Sequence, residues 1–183
     1  MTGSALPLLF LDVDGPLIPF GATPQQLPNG YPTYRTPRIG RDRQAAADGN
    51  PLITRIDPAL GPRLAALPCT LVWATTWMSD ANECVAPWLG LPDLPVVPWP
   101  EPSESDEVDA YERGGLHWKT RVLVAWADGR PFAWVDDEIG EADRAWVAAH
   151  HSGRALLHRV DPRRGLGDGD FAVLGAWLGE CAG

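Results

Sequence analysis

Apolar residues in this chain gather in five short runs, Leu8 to Val13, Thr70 to Ala74, Pro95 to Pro98, Phe132 to Val135 and Ala155 to Val160. Each is too short for a helix and reads as a buried strand. Between the later runs, apolar positions recur at helical spacing: Ala81, Val85, Trp88 and Leu89, then Trp118, Val122, Ala125 and Trp126, then Ala142, Ala145, Trp146 and Ala149. Phe171, Leu174, Trp177, Leu178 and Cys181 close the chain with the same period. Gly90 ends the first of these helices, Asp128-Gly129 followed by Pro131 ends the second, and Asp168 or Asp170 caps the last. Strands that alternate with helices pair in parallel through right-handed crossovers, so the expected class is an α/β three-layer sandwich.

One stretch breaks the rhythm. Residues 16–68 hold ten of the nineteen prolines and no long helical pattern before a short helix starting at Pro58 or Pro62 and running to Leu67. A loop-rich insertion over about residues 16–56 is expected, within which Tyr31 to Ile39 and Pro51 to Ile56 are candidates for a flap hairpin. Residues 99–116 form an acidic connection, and no internal repeat interrupts what reads as a single domain over residues 1–183.

The chemistry sits at the ends of the runs. Asp12-Val13-Asp14-Gly15 follows the first, Thr75-Thr76 follows the second, and Asp136-Asp137 closes the fourth. The single lysine, Lys119, stands 17 residues before Asp136 at the start of the helix that leads into that strand. In a parallel sheet the carboxyl ends of the strands share one edge, so these distant residues are expected to converge there. Taken singly, Asp-x-Asp-Gly is a common turn and Thr75-Thr76 an ordinary helix cap; the ordered series of acid, hydroxyl, cation and acid is what suits phosphoryl transfer.

In order and spacing, these four elements resemble the motifs of the haloacid dehalogenase superfamily. The resemblance spans about residues 8–160 and implies a five-stranded parallel Rossmann-like sheet of order 5-4-1-2-3, with the first strand central. It also implies roles. Asp12 is the expected nucleophile, forming an aspartyl-phosphate, and Asp14 the expected acid and base. Asp12, the backbone carbonyl of Asp14, and Asp136 are expected to ligate Mg²⁺, with Asp137 in support. Thr75, with Thr76 as the weaker candidate, is expected to bind a phosphoryl oxygen, and Lys119 to offset charge on phosphate and nucleophile. Pro16 departs from the pattern by occupying a position where the family often has Thr. The acid at Asp14, which dehalogenases and transport ATPases of the superfamily lack, points to a phosphatase or phosphotransferase.

Neither insertion point is long enough for a large cap domain, so an open, essentially capless cleft is expected. Such a cleft admits a phosphorylated metabolite or a bulky substrate such as a polynucleotide end or a phosphoprotein. The net charge of −9 argues against indiscriminate nucleic-acid binding, yet residues 31–63 carry six arginines, of which Arg35 and Arg38 are candidate substrate contacts. A phosphate- or partner-binding module without turnover is the competing class. Three widely spaced cysteines form neither a disulfide framework nor a metal-ligand pattern, and no apolar run approaches the roughly 18 residues of a membrane span, so a cytoplasmic location is expected. The nine tryptophans read as packing units, and His117, His150, His151 and His158 are not assigned to the site.

Overall fold

The computed structural model describes residues 5–35, 50–100 and 115–183. Strands β1 (Leu8–Leu11), β2 (Thr70–Trp73), β3 (Phe132–Asp136) and β4 (Ala155–Arg159) form one parallel sheet in the order β2-β1-β3-β4. β1 is interior, with Leu11 opposite both Trp73 and Val135, while Asp136 lies opposite Arg159 on β4. Among the described residues the sheet therefore has four strands, not the expected five. The 95–98 segment does lie beside β2, but it pairs only through the bridge between Trp73 and Val96, held by Trp73 N–H to the Pro95 carbonyl (2.8 Å) and Val97 N–H to the Trp73 carbonyl (2.9 Å). Pro95 and Pro98 bracket that bridge and have no N–H to extend it.

The helices are α1 (Leu60–Ala65), α2 (Ala86–Leu89), which continues a π-helical turn over Ala81–Val85, α3 (Thr120–Ala127), α4 (Glu141–His150) and α5 (Asp168–Ala182). They cover both faces of the sheet. Leu9, Leu11, Trp73 and Val135 pack with Leu64, Val85, Leu89, Phe171, Leu174 and Leu178; Phe10, Val72, Phe132 and Trp134 pack with Leu123, Ala127 and Val147. Side chains of β1, β2 and β3 are buried on both faces, which is why these strands lack alternation. Each fully buried Leu or Phe contributes about 1.5–3 kcal/mol of transfer free energy, so this double-faced core is the main source of stability.

Periodicity placed α2 and α5 on their correct faces but missed those of α3 and α4. The buried residues of α3 are Thr120, Leu123 and Ala127, and those of α4 are Asp143 and Val147, whereas Trp118 is 38% exposed. The reason is polar: Asp143 Oδ1 accepts from the Thr120 hydroxyl and the His117 N–H, and its Oδ2 accepts from the Gly140 N–H. A fully partnered carboxylate can occupy a core-facing position that a count of apolar residues assigns to solvent. The second arm of the expected hairpin is not a strand, although the Tyr34 N–H donates to the Thr54 carbonyl (2.7 Å) between the two segments. Pro51–Arg55 is a 3₁₀ turn, opened by the Asn50 side chain accepting from the Leu52 N–H and by Pro51 in the first position, where its fixed φ suits a helix start. Residues 36–39 of the expected partner strand lie outside the described residues.

Candidate active site

The acid-rich turn after β1 is positioned by the sheet itself: the Asp12 N–H donates to the Val135 carbonyl of β3 (3.1 Å), and on the other side the Ala74 N–H donates to the Leu11 carbonyl (2.9 Å). Gly15 then turns the chain with φ +85°, and its Cα faces Asp137 so closely that a Cβ there would lie 2.5 Å from Asp137 Oδ1. Only glycine allows both the left-handed backbone and that approach. The turn closes with Ile18 N–H on the Val13 carbonyl (2.9 Å) and Gly15 N–H on the Ile18 carbonyl (3.0 Å).

Lys119 enters from the start of α3. Its Nζ donates to Asp12 Oδ2 at 2.7 Å and to Asp136 Oδ2 at 2.8 Å, with the lysine only 2% exposed. Asp136 is fully buried, and its carboxylate also accepts from the Trp134 indole N–H (3.2 Å) and the Glu138 N–H (2.9 Å). Asp12 Oδ1 accepts from the Val13 N–H at 2.8 Å. Carboxylate oxygens of Asp12, Asp136 and Asp137 lie within 4.8 Å of one another, close enough to converge on a single ion. Against these three acids stands one ammonium, a formal −2 in a nearly dry place.

The electrostatics follow from that imbalance. Burial raises the Asp12 carboxyl from the usual 3.8 to about 7, with the Lys119 charge countering and the Asp136 charge adding to the rise. Asp137 is also raised, by burial and then by Asp136. For Lys119, burial favours the neutral amine, but the combined pull of Asp12 and Asp136 overrides it and raises the pKa. Hard carboxylate oxygens carrying excess negative charge fit a divalent cation that prefers oxygen ligands.

The remaining expected residues are placed unevenly. Asp14 lies at the half-exposed rim, its Oδ2 accepting from the Trp77 indole N–H at 3.0 Å. Thr75 ends the neighbouring β2 segment and is fully buried, with its hydroxyl accepting from the Trp77 N–H (3.3 Å) and its carbonyl from the Trp99 indole N–H (2.8 Å). Thr76 is exposed. Arg35 is exposed on the insertion, and Arg38 lies outside the described residues.

Sequence reasoning overlooked several supports. Trp77, Trp99 and Trp134 each donate an indole N–H to a site residue, so these three do more than fill space. His117 accepts the Lys119 N–H at Nδ1 (3.2 Å) and meets Glu138 at Nε2 (3.1 Å), and with Asp136 and Glu138 it forms a second group of potential ligand atoms. Its only signal was a position two residues before Lys119. Asp143 ties the start of α3, and so Lys119, to α4, and caps α4 by accepting the Gly140 N–H; no motif in the sequence marks that link between helices.

The chain matches no family model, no curated protein and no solved structure. Among the described residues, no helix is long and apolar enough to cross a membrane.

Proposed function

We propose that the chain is a magnesium-dependent phosphohydrolase of the haloacid dehalogenase kind, cleaving phosphomonoesters through an aspartyl-phosphate on Asp12. The observation that carries this reading is the gathering of Asp12, Lys119, Asp136 and Asp137, from three distant stretches of chain, at one edge of a parallel sheet. Asp12, Asp136 and Asp137 are the side chains that would hold Mg²⁺. Bound there, the ion would neutralise the excess charge and polarise the phosphoryl group.

Asp12 attacks phosphorus in line, forming the carboxyl-phosphate bond as the ester P–O bond breaks. Asp14, held by the Trp77 indole, delivers a proton to the departing alkoxide and then takes one from the water that cleaves the intermediate. Lys119 offsets charge on the nucleophile and the transferring group, and the Thr75 hydroxyl, which is an acceptor in its local turn, has its hydrogen left to donate to a phosphoryl oxygen. The test is hydrolysis of a generic aryl phosphate with and without Mg²⁺. Turnover is expected only with the metal and is expected to vanish in Asp12→Asn; hydrolysis that survives the substitution removes Asp12 as nucleophile.

A further inference from the structure

Beside the carboxylates, two hollows run along the loop after β1 and the loop between β4 and α5. One, about 540 Å³, has Arg159 and Arg163 in its walls; the other, about 360 Å³, shares Arg163 and adds Arg55, Arg63 and Arg164. Among the described residues the acids lining them are Asp57 and Asp161, so the described lining carries +3 in a chain whose total is −9. Cationic charge is thus concentrated where the rest of the molecule is acidic, which is the footprint of an anionic ligand.

Arg163 is held by Asp161, to which its Nε and Nη2 donate at 2.9 and 2.8 Å in a part-exposed pair, and the other guanidinium groups keep donors to spare. Arg159 donates its Nε to the Asp137 carbonyl (2.9 Å), and Arg55 donates one nitrogen to the Pro19 carbonyl (3.2 Å). Arg63 pairs with Asp168, whose side chain is 97% exposed, a screened contact that an incoming phosphate displaces at little cost. Arg164 is exposed and has no acidic partner among the described residues. Aromatic surface is interleaved with this charge. Phe20, 40% exposed, opens on the first hollow, Tyr31 and Tyr34 line the second, and the Arg55 guanidinium lies 4.8 Å over the Tyr31 ring.

Each hollow is tied to the carboxylate edge through the backbone. Pro16, in the wall of the second, follows Gly15 directly and is fixed by the Leu166 N–H on its carbonyl (2.9 Å); Arg159, in the wall of the first, is bonded to Asp137. A compact phosphometabolite would need one cationic cluster. Five arginines spread over two successive cavities, with Phe20, Tyr31 and Tyr34 in their walls, instead match repeating phosphates that carry stackable bases. We propose that these hollows bind a single-stranded nucleic acid, whose terminal phosphate enters the carboxylate centre; only that last step rests on the phosphohydrolase reading.

The test is binding, which needs no turnover. Fluorescence anisotropy of a labelled oligothymidylate of about ten nucleotides, with full-length protein in EDTA, should show saturable binding that weakens between about 50 and 200 mM salt. Arg163→Ala/Arg164→Ala should bind about tenfold more weakly with a shallower salt dependence, while Phe20→Ala should weaken binding and leave that slope unchanged. Both variants are checked for an unaltered unfolding midpoint. Absence of saturable binding at low salt, wild-type affinity in both variants, or displacement of the oligonucleotide by an equimolar phosphoserine peptide would overturn the proposal. Aryl-phosphate hydrolysis without oligonucleotide binding removes this subsite alone; oligonucleotide binding without any hydrolysis removes the phosphohydrolase reading alone.

Discussion

Replacing Asp12 by asparagine should change how stability depends on pH, in a direction fixed by the site. Burial raises the Asp12 carboxyl from 3.8 to about 7, although Lys119 opposes the shift. Between those values the folded, metal-free protein holds a proton that the unfolded chain has released, so stability falls as pH rises through this window. Below about pH 4 both states are protonated and the effect disappears. Integrating one such group between about pH 5 and pH 7 gives a loss of about 2 kcal/mol, since each unit of displacement is worth up to about 1.4 kcal/mol. The amide of Asp12→Asn keeps the size of the side chain and cannot ionise, so the variant should gain about 2 kcal/mol relative to wild type over this interval. For a chain of this length that corresponds to about 4–8 °C in melting temperature. Thermal unfolding followed by circular dichroism, in EDTA and at constant ionic strength, measures it. Melting temperatures that run parallel across the interval would refute the claim that Asp12 sits in a dry, acid-crowded position.

Three further outcomes follow from neighbouring contacts. Lys119→Met removes the ammonium that bridges Asp12 and Asp136 and should cost about 3–5 kcal/mol in urea denaturation at about pH 8, with hydrolysis lost; unchanged stability would mean that the two carboxylates do not depend on it. Gly15→Ala places a methyl 2.5 Å from Asp137 Oδ1 at φ +85°, and should cost about 1–3 kcal/mol and raise the magnesium concentration for half-maximal hydrolysis about tenfold, as read from a metal titration. Asp143→Ala leaves the His117 N–H and the buried Thr120 hydroxyl without their acceptor; a loss of about 2–4 kcal/mol in chemical denaturation is expected, together with reduced turnover through a loosened Lys119.

Much of the sheet was legible because β1, β2 and β3 are buried on both faces and therefore stand out as continuous apolar runs, while the edge strand β4 shows only its Ala155-Leu156-Leu157 start. Asp12, Lys119, Asp136 and Asp137 were legible for a related reason: a parallel sheet delivers its strand ends to one edge, so position along the pattern carried information about place in space. The fifth strand was misread because hydropathy registers Val96 and Val97 but not the donors that Pro95 and Pro98 lack. The buried faces of α3 and α4 were misread because Thr120 and Asp143 satisfy each other, and pairwise satisfaction of polar groups has no signature in a single sequence. The indole donors of Trp77, Trp99 and Trp134 were hidden in the same way, since a tryptophan that only packs and one that hydrogen-bonds a site residue look alike until their partners are known. The clustering of arginines in the two hollows draws Arg55 and Arg63 together with Arg159, Arg163 and Arg164, which lie about a hundred residues further along the chain.

The chain's sole lysine is also, among the described residues, its least accessible basic side chain, clasped between two acids. Amine-directed reagents therefore find no competing side chain anywhere in the sequence. Acylation at Lys119 becomes a clock for how often the carboxylate edge breathes open, read from one peptide in a mass spectrum.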